Sequence, residues 1–205
     1  MILECMPVGA MQENCYIIMK ENGTEAIVID PGDEGDRIAD RLESLGVKLS
    51  AILLTHGHFD HITGVKALKD RTGAPVMAGK NEDALLKDSD LNISKRIRRP
   101  VEVVCDRLFE DDEEVTISGL KFTCIFTPGH THGSVCYHFK EDNVLFTGDT
   151  LFESGVGRTD FPTGSEAALY SSIRSKLMKL PKDTKCYPGH GGATDIERES
   201  EHFGY

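Results

Sequence analysis

Residues 51–61 read Ala51-Ile52-Leu53-Leu54-Thr55-His56-Gly57-His58-Phe59-Asp60-His61. An apolar run predicts a strand over 49–55, and it empties at once into three histidines and an aspartate. Three more apolar runs end the same way. Residues 122–127 lead into Pro128-Gly129-His130, residues 144–147 into Gly148-Asp149, and residues 186–187 into Pro188-Gly189-His190. Each strand thus delivers a His or Asp just beyond its C-terminal end, where open α/β sheets form their binding crevices. The glycines at these corners let the backbone turn sharply and bring the side chains together.

These residue types suit a metal. Imidazole nitrogen and carboxylate oxygen are ligands for zinc, iron or manganese, and no cysteine lies beside them. His56 and His58 are two apart, so extended backbone points both to one side, while Asp60 and His61 sit where the chain turns into a helix. Seven groups result: His56, His58, Asp60, His61, His130, Asp149 and His190. Seven exceeds the needs of one tetrahedral ion and suits two ions about 3.5–4 Å apart, sharing a bridging carboxylate and a bridging hydroxide. One His-x-His alone is often a pair of surface histidines, and structural metal sites favour cysteine. Five of the eight histidines at strand ends beside Gly and Asp argue against both bland readings.

The rest of the chain frames these motifs. Its 205 residues suit a single domain over 1–205. The sequence holds 34 acidic against 23 basic residues, a net charge of −11, which disfavours nonspecific contact with nucleic acid. No run is apolar for long enough to span a bilayer, and the first residues lack the order of a signal peptide. Cys5, Cys15, Cys105, Cys124, Cys136 and Cys186 are scattered singly, which fits free thiols in a reducing cytoplasm. Further strands are expected over 14–19, 26–30, 75–78, 114–118, 121–126, 134–139 and 143–146. Helices are expected over 36–45, 61–71, 81–87 and 165–180, the last with a capping box at Thr163 and Glu166, and a short helix is expected at the end of the chain. Residues 89–100 read as an irregular loop, and its run Lys95-Arg96-Ile97-Arg98-Arg99 as a solvated face. The order implies an α/β fold of two sheets covered by outer helices.

Taken together, Thr55 to His61, Thr127-Pro128-Gly129-His130, Gly148-Asp149 and Gly189-His190 resemble the metallo-β-lactamase superfamily. That resemblance covers essentially the whole chain and implies a four-layer αβ/βα sandwich with a dinuclear centre at one edge. It implies that His56, His58 and His130 hold a first ion and that Asp60, His61 and His190 hold a second, with Asp149 bridging. The β-lactamases proper typically use Cys in the second site, and the flavin-linked diiron oxidoreductases usually carry Glu where His58 stands. The closer likeness is to the hydroxyacylglutathione hydrolase (glyoxalase II) branch. Asp149-Thr150-Leu151-Phe152, Gly157-Arg158-Thr159-Asp160-Phe161 and Leu91-Asn92-Ile93-Ser94 resemble its short members, which lack the C-terminal helical domain.

The function so implied is hydrolysis of a thioester of the S-2-hydroxyacylglutathione kind by a metal-bridging hydroxide, with Asp60 orienting or deprotonating it. The cofactor expected is two divalent ions, zinc first, iron or manganese as alternatives. Arg158, Phe152 and Asn92 are candidate substrate contacts, although Arg158 and Asp160 also suit a structural clasp. The partner expected is a small-molecule thioester, with neither nucleic acid nor membrane. The alternative is a mononuclear iron persulfide dioxygenase of the same superfamily, in which His56, His130 and Asp149 would form a facial triad.

Overall fold

The computed structural model describes residues 1–204. The chain opens with three strands, β1 (Ile2–Val8), β2 (Glu13–Met19) and β3 (Glu25–Ile29). There follow α1 (Gly35–Leu45), β4 (Lys48–Leu54), α2 (Phe59–Ile62), α3 (Val65–Thr72), β5 (Val76–Gly79) and α4 (Asp83–Leu86). A long irregular stretch leads to β6 (Arg107–Phe109), then β7 (Glu113–Ile117), β8 (Leu120–Phe126), β9 (Val135–Phe139) and β10 (Val144–Gly148). The small hairpin β11 (Leu151–Phe152) and β12 (Gly155–Val156) precedes α5 (Glu166–Ser175). The last elements are β13 (Lys185–Pro188), β14 (Thr194–Asp195) and α6 (Ile196–Phe203).

Among the described residues the strands form two six-stranded sheets, ordered β1-β2-β3-β4-β5-β6 and β14-β13-β10-β9-β8-β7. Pairing is parallel from β3 through β6 and between β10 and β13; the other large-sheet pairs are antiparallel. The layering follows from period-two burial in strands apolar on both faces. In β2, Cys15 and Ile17 face the helices while Tyr16 and Ile18 face the other sheet; β4 divides likewise into Ile52 and Leu54 against Ala51 and Leu53. The helix side is filled by Ile38 and Leu42 of α1 and Leu68 of α3. Between the sheets lie Ile27, Ile29 and Leu53 against Phe122, Tyr137, Phe139 and Phe146. Beyond the second sheet, Leu145 and Cys186 pack on Leu169 and Ile173 of α5 and Ile196 of α6. Helix, sheet, sheet, helix is the expected four-layer sandwich.

Several local expectations need correction. The helix expected over 61–71 is two helices, α2 and α3. They are broken at Gly64, where a Cβ would lie 2.7 Å from the Asp33 and Pro31 carbonyl oxygens. The cap of α5 is Ser165, whose side chain accepts from the Ala168 N–H; Thr163 has φ +71° and instead accepts from the His132 N–H. Helix α5 stops at Ser175, and a 3₁₀ turn at Leu177–Lys179 continues its apolar stripe. Strands β1 and β6 carry no clear sequence signal. The first is an edge strand interrupted by Pro7, a position edges tolerate, and the second is three residues with only Phe109 buried. The loop over 89–100 is irregular as expected, with Lys95 paired to Asp90 and Arg99 to Asp33 at its surface.

Candidate metal centre

The two sheets meet at one edge with the C-terminal ends of β4, β8, β10 and β13 side by side. Direct contacts lock this edge: the Val135 N–H donates to the Thr55 carbonyl at 2.8 Å and the Tyr137 hydroxyl to the Leu54 carbonyl at 2.7 Å. Across the edge the Tyr16 hydroxyl donates to the Pro188 carbonyl at 2.6 Å, and the Gly189 N–H to the Gly148 carbonyl at 2.9 Å. The loops carrying the seven candidate ligands are therefore held by backbone and tyrosine hydrogen bonds between segments distant in sequence.

All seven converge. His58 Nδ1 lies 2.8 Å from His130 Nε2, which lies 3.2 Å from His56 Nε2. Donor atoms of His56, His58 and His130 fall within 4.8 Å of one another, as do those of Asp60, His61 and His190. Asp149 stands between the sets, 3.4 Å from His61 Nε2 on one oxygen, and 3.5 Å from His130 Nε2 and 3.8 Å from His190 Nε2 on the other. Asp60 Oδ2 is 3.3 Å from His190 Nε2.

The electrostatics fit a bound cation. Burial, and then neighbouring imidazoles, keep His56 well below the usual histidine range and hold His58 down at about 3, so both present lone pairs. Burial lowers His130 too, against the pull of Asp149. Burial also opposes charge on Asp60, Asp149 and His61. The His190 hydrogen bond and His61 outweigh it at Asp60, His61 and His130 outweigh it at Asp149, and Asp149 and Asp30 outweigh it at His61. The negative charge at Asp149 thus favours a positive one beside it, at a place where a cation would satisfy carboxylate and imidazole alike. His61 Nε2 and Asp149 Oδ1 are buried with no hydrogen-bond partner among the described residues. The space before them is kept by Gly189, where a Cβ would lie 2.4 Å from Asp149 Oδ1 and 2.5 Å from His61 Cε1. Orphaned donor atoms around a cradle that one methyl would fill are what two hard or borderline divalent ions require.

Three acids not expected from the sequence lie behind the centre. Asp30 ends β3 and accepts from the Thr55 N–H at 2.7 Å, the Thr55 hydroxyl at 2.5 Å and His61 Nδ1 at 3.0 Å. It aims His61 in the manner of carboxylates behind metal-bound imidazoles. The buried Glu13 lies 3.7 Å from the same nitrogen, and burial pushes its carboxyl well up. Glu82 lies beneath the 56–58 turn. Asp30 shares the strand-end signal of the other ligands, masked by Pro31-Gly32, which reads simply as a turn; Glu13 and Glu82 carry no such signal.

The centre floors a cleft of about 390 Å³ walled by Met11, Phe59, Ile93, Phe152, Val156 and Phe161. Phe152 sits on this wall, its ring 6.4 Å from that of His190. Arg158 touches the centre through its carbonyl, which accepts from His130 Nδ1 at 2.7 Å. Its guanidinium pairs with Asp160 at 2.7 Å and stacks 3.9 Å over Phe161. The expectation for Asn92 is corrected. It is fully buried, donating to the Val101 carbonyl and accepting from the Ser94 N–H, and the residue facing the cleft is its neighbour Ile93, at φ +69°. The amide is engaged in holding this loop and is not among the residues lining the cleft.

The profile of the metallo-beta-lactamase superfamily matches residues 8–190, a span that contains every candidate ligand. The chain belongs to this superfamily. It is 39% identical to "Probable metallo-hydrolase YqgX" of Bacillus subtilis, over 96% of this chain and 93% of that one. It is also 39% identical to "Hydroxyacylglutathione hydrolase GloC" of Haemophilus influenzae, over 97% and 95%. Among solved structures, the BLEG-1 B3 metallo-beta-lactamase superposes with a TM-score of 0.93 at 37% identity, covering 98% and 97%. TTHA1623 in a di-iron-bound form gives 0.86 at 31%, covering 97% and 98%. ETHE1 from Myxococcus xanthus gives 0.80 at 33%, covering 98% and 83%. Fold and relatives make this a hydrolase-type metalloenzyme of the superfamily. None of its described helices is long and apolar enough to cross a membrane.

Proposed function

We propose that the chain hydrolyses small thioesters of the S-2-hydroxyacylglutathione type, with two divalent ions held by His56, His58 and His130 and by Asp60, His61 and His190, bridged by Asp149. The observation that carries this reading is the position of Asp149, within 3.8 Å of histidines from both donor sets. A complete second set favours a dinuclear centre, and the name of the Haemophilus relative supports the thioester class. Bound there, the ions would supply a water acidic enough to ionise near neutral pH and a positive charge for the acyl oxygen.

The residues do the remainder. Asp60, ionised and 3.3 Å from His190, orients the attacking water and takes its proton. His130, aimed by the Arg158 carbonyl, and His61, aimed by Asp30, keep their lone pairs directed inward. Phe152, Val156 and Phe161 exclude bulk water around the reacting carbonyl, and the Arg158 guanidinium at the rim meets an anionic carrier such as glutathione. The leaving thiolate needs little help, because a thiol of pKa near about 8.5 departs without a proton.

A second reading, iron-dependent oxidation of a persulfide, is favoured by the likeness to ETHE1 and uses His56, His130 and Asp149 alone. Steady-state hydrolysis of S-lactoylglutathione and other thioesters, with metal content measured on the same sample, separates the two. Oxygen uptake with glutathione persulfide and turnover of a β-lactam serve as controls. The expected result is thioester hydrolysis without oxygen uptake, lost on metal removal and lowered about a hundredfold or more in Asp60→Asn. Full activity in metal-free protein, or oxygen consumption as the main reaction, overturns the proposal.

A further inference from the structure

Glu82 is 1% exposed, yet its carboxylate meets both turns that supply the first donor set. One oxygen accepts from the Gly57 N–H at 2.8 Å, between His56 and His58. The other accepts from the Thr131 hydroxyl at 2.9 Å and the Gly133 N–H at 2.9 Å, on the turn that carries His130. Thr131 is itself tied to Ser134, its hydroxyl 2.6 Å from the serine hydroxyl and its N–H donating to the same oxygen at 3.0 Å. The approach is close: a Cβ on Gly133 would fall 2.2 Å from the Glu82 backbone nitrogen. Burial pushes the Glu82 carboxyl up to about 7, and the three donors pull the other way. An acid in that position costs stability unless the contacts it makes are needed.

We infer that Glu82 is a positioning residue for the first metal site: its carboxylate clamps the 56–58 turn to the 129–133 turn and so sets the spacing of His56, His58 and His130. The two turns lie 72 residues apart between His58 and His130 and belong to different sheets. Among the described residues, Glu82 is a third group that hydrogen-bonds to both turns. This rests on the metal-centre reading above, and the test separates the two.

Zinc affinity is measured by competition with a chromophoric chelator on two backgrounds. His190→Ala leaves the first donor set intact, and His58→Ala leaves the second. An amide at position 82 turns its NH₂ toward one of the N–H donors that the carboxylate now accepts. Glu82→Gln therefore weakens the first site about ten- to a hundredfold, the usual effect of losing a group that orients ligands. The buried donor left facing that NH₂ also lowers the urea midpoint of the metal-free protein, but the second site stays unchanged. A merely structural acid would instead weaken both sites alike, which overturns the inference, as does an unchanged first site. Should Glu82→Gln fail to fold, Thr131→Val removes one of the three contacts, and an unchanged first site in that variant overturns it equally. Absence of zinc binding on both backgrounds with Glu82 intact, and in the unsubstituted protein, refutes the metal-centre reading itself.

Discussion

Asp30 shows how one side chain can hold a centre it does not line. Its carboxylate accepts from the Thr55 backbone, the Thr55 hydroxyl and His61 Nδ1, so it links the end of β4 to an imidazole of the second donor set. Asp30→Asn keeps the shape but places an N–H₂ against existing donors. The expected outcome is a loss of about ten- to a hundredfold in second-ion affinity, read by chelator competition, with the first ion retained. At this scale the ligands were legible, because a metal demands particular atoms and only a few residue types carry them. The acids behind them were not, because Glu13, Asp30 and Glu82 look ordinary until the fold buries them. Asn92 errs in the opposite direction: its motif is legible, but burial assigns its amide to the loop rather than to the cleft.

Among the elements, the decisive feature is the turn after β13. Gly189 lies where the second donor set closes, and any side chain there enters the space between Asp149 and His61. Gly189→Ala should fold, since the methyl projects into a cradle rather than into the core, but bind one ion per chain in place of two. Metal analysis together with far-UV circular dichroism checks both halves of that statement; two ions at wild-type affinity would contradict it. The longer apolar strands and amphipathic α1 were readable from periodicity alone. Strands β1 and β6 and the split between α2 and α3 were not, since an edge position and a crowded glycine are tertiary conditions.

For the molecule as a whole, the ligands come from both sheets. His56, His58, Asp60 and His61 follow β4 of the first, and His130, Asp149 and His190 follow β8, β10 and β13 of the second. Ions held by these candidate ligands would therefore tie the halves together and bind the folded chain far better than the unfolded one. At free metal about a hundredfold above the dissociation constant each ion adds about 2.7 kcal/mol. Removing both by chelation should lower the Tm by on the order of 10–20 °C for a chain of this size, and re-added zinc, iron or manganese should restore it. Calorimetry with and without chelator reads this directly; an unchanged Tm would mean that no ion bridges the sheets.

By itself the sequence determined the superfamily, the layering and the seven groups at the strand ends, because ligand chemistry and strand periodicity are local properties written residue by residue. Tertiary structure alone decided which acids stand behind those groups, which loop residue faces the cleft, and how far Asp149 lies from each donor set. Those are distances between segments remote along the chain, and only the packing of one sheet against the other defines them.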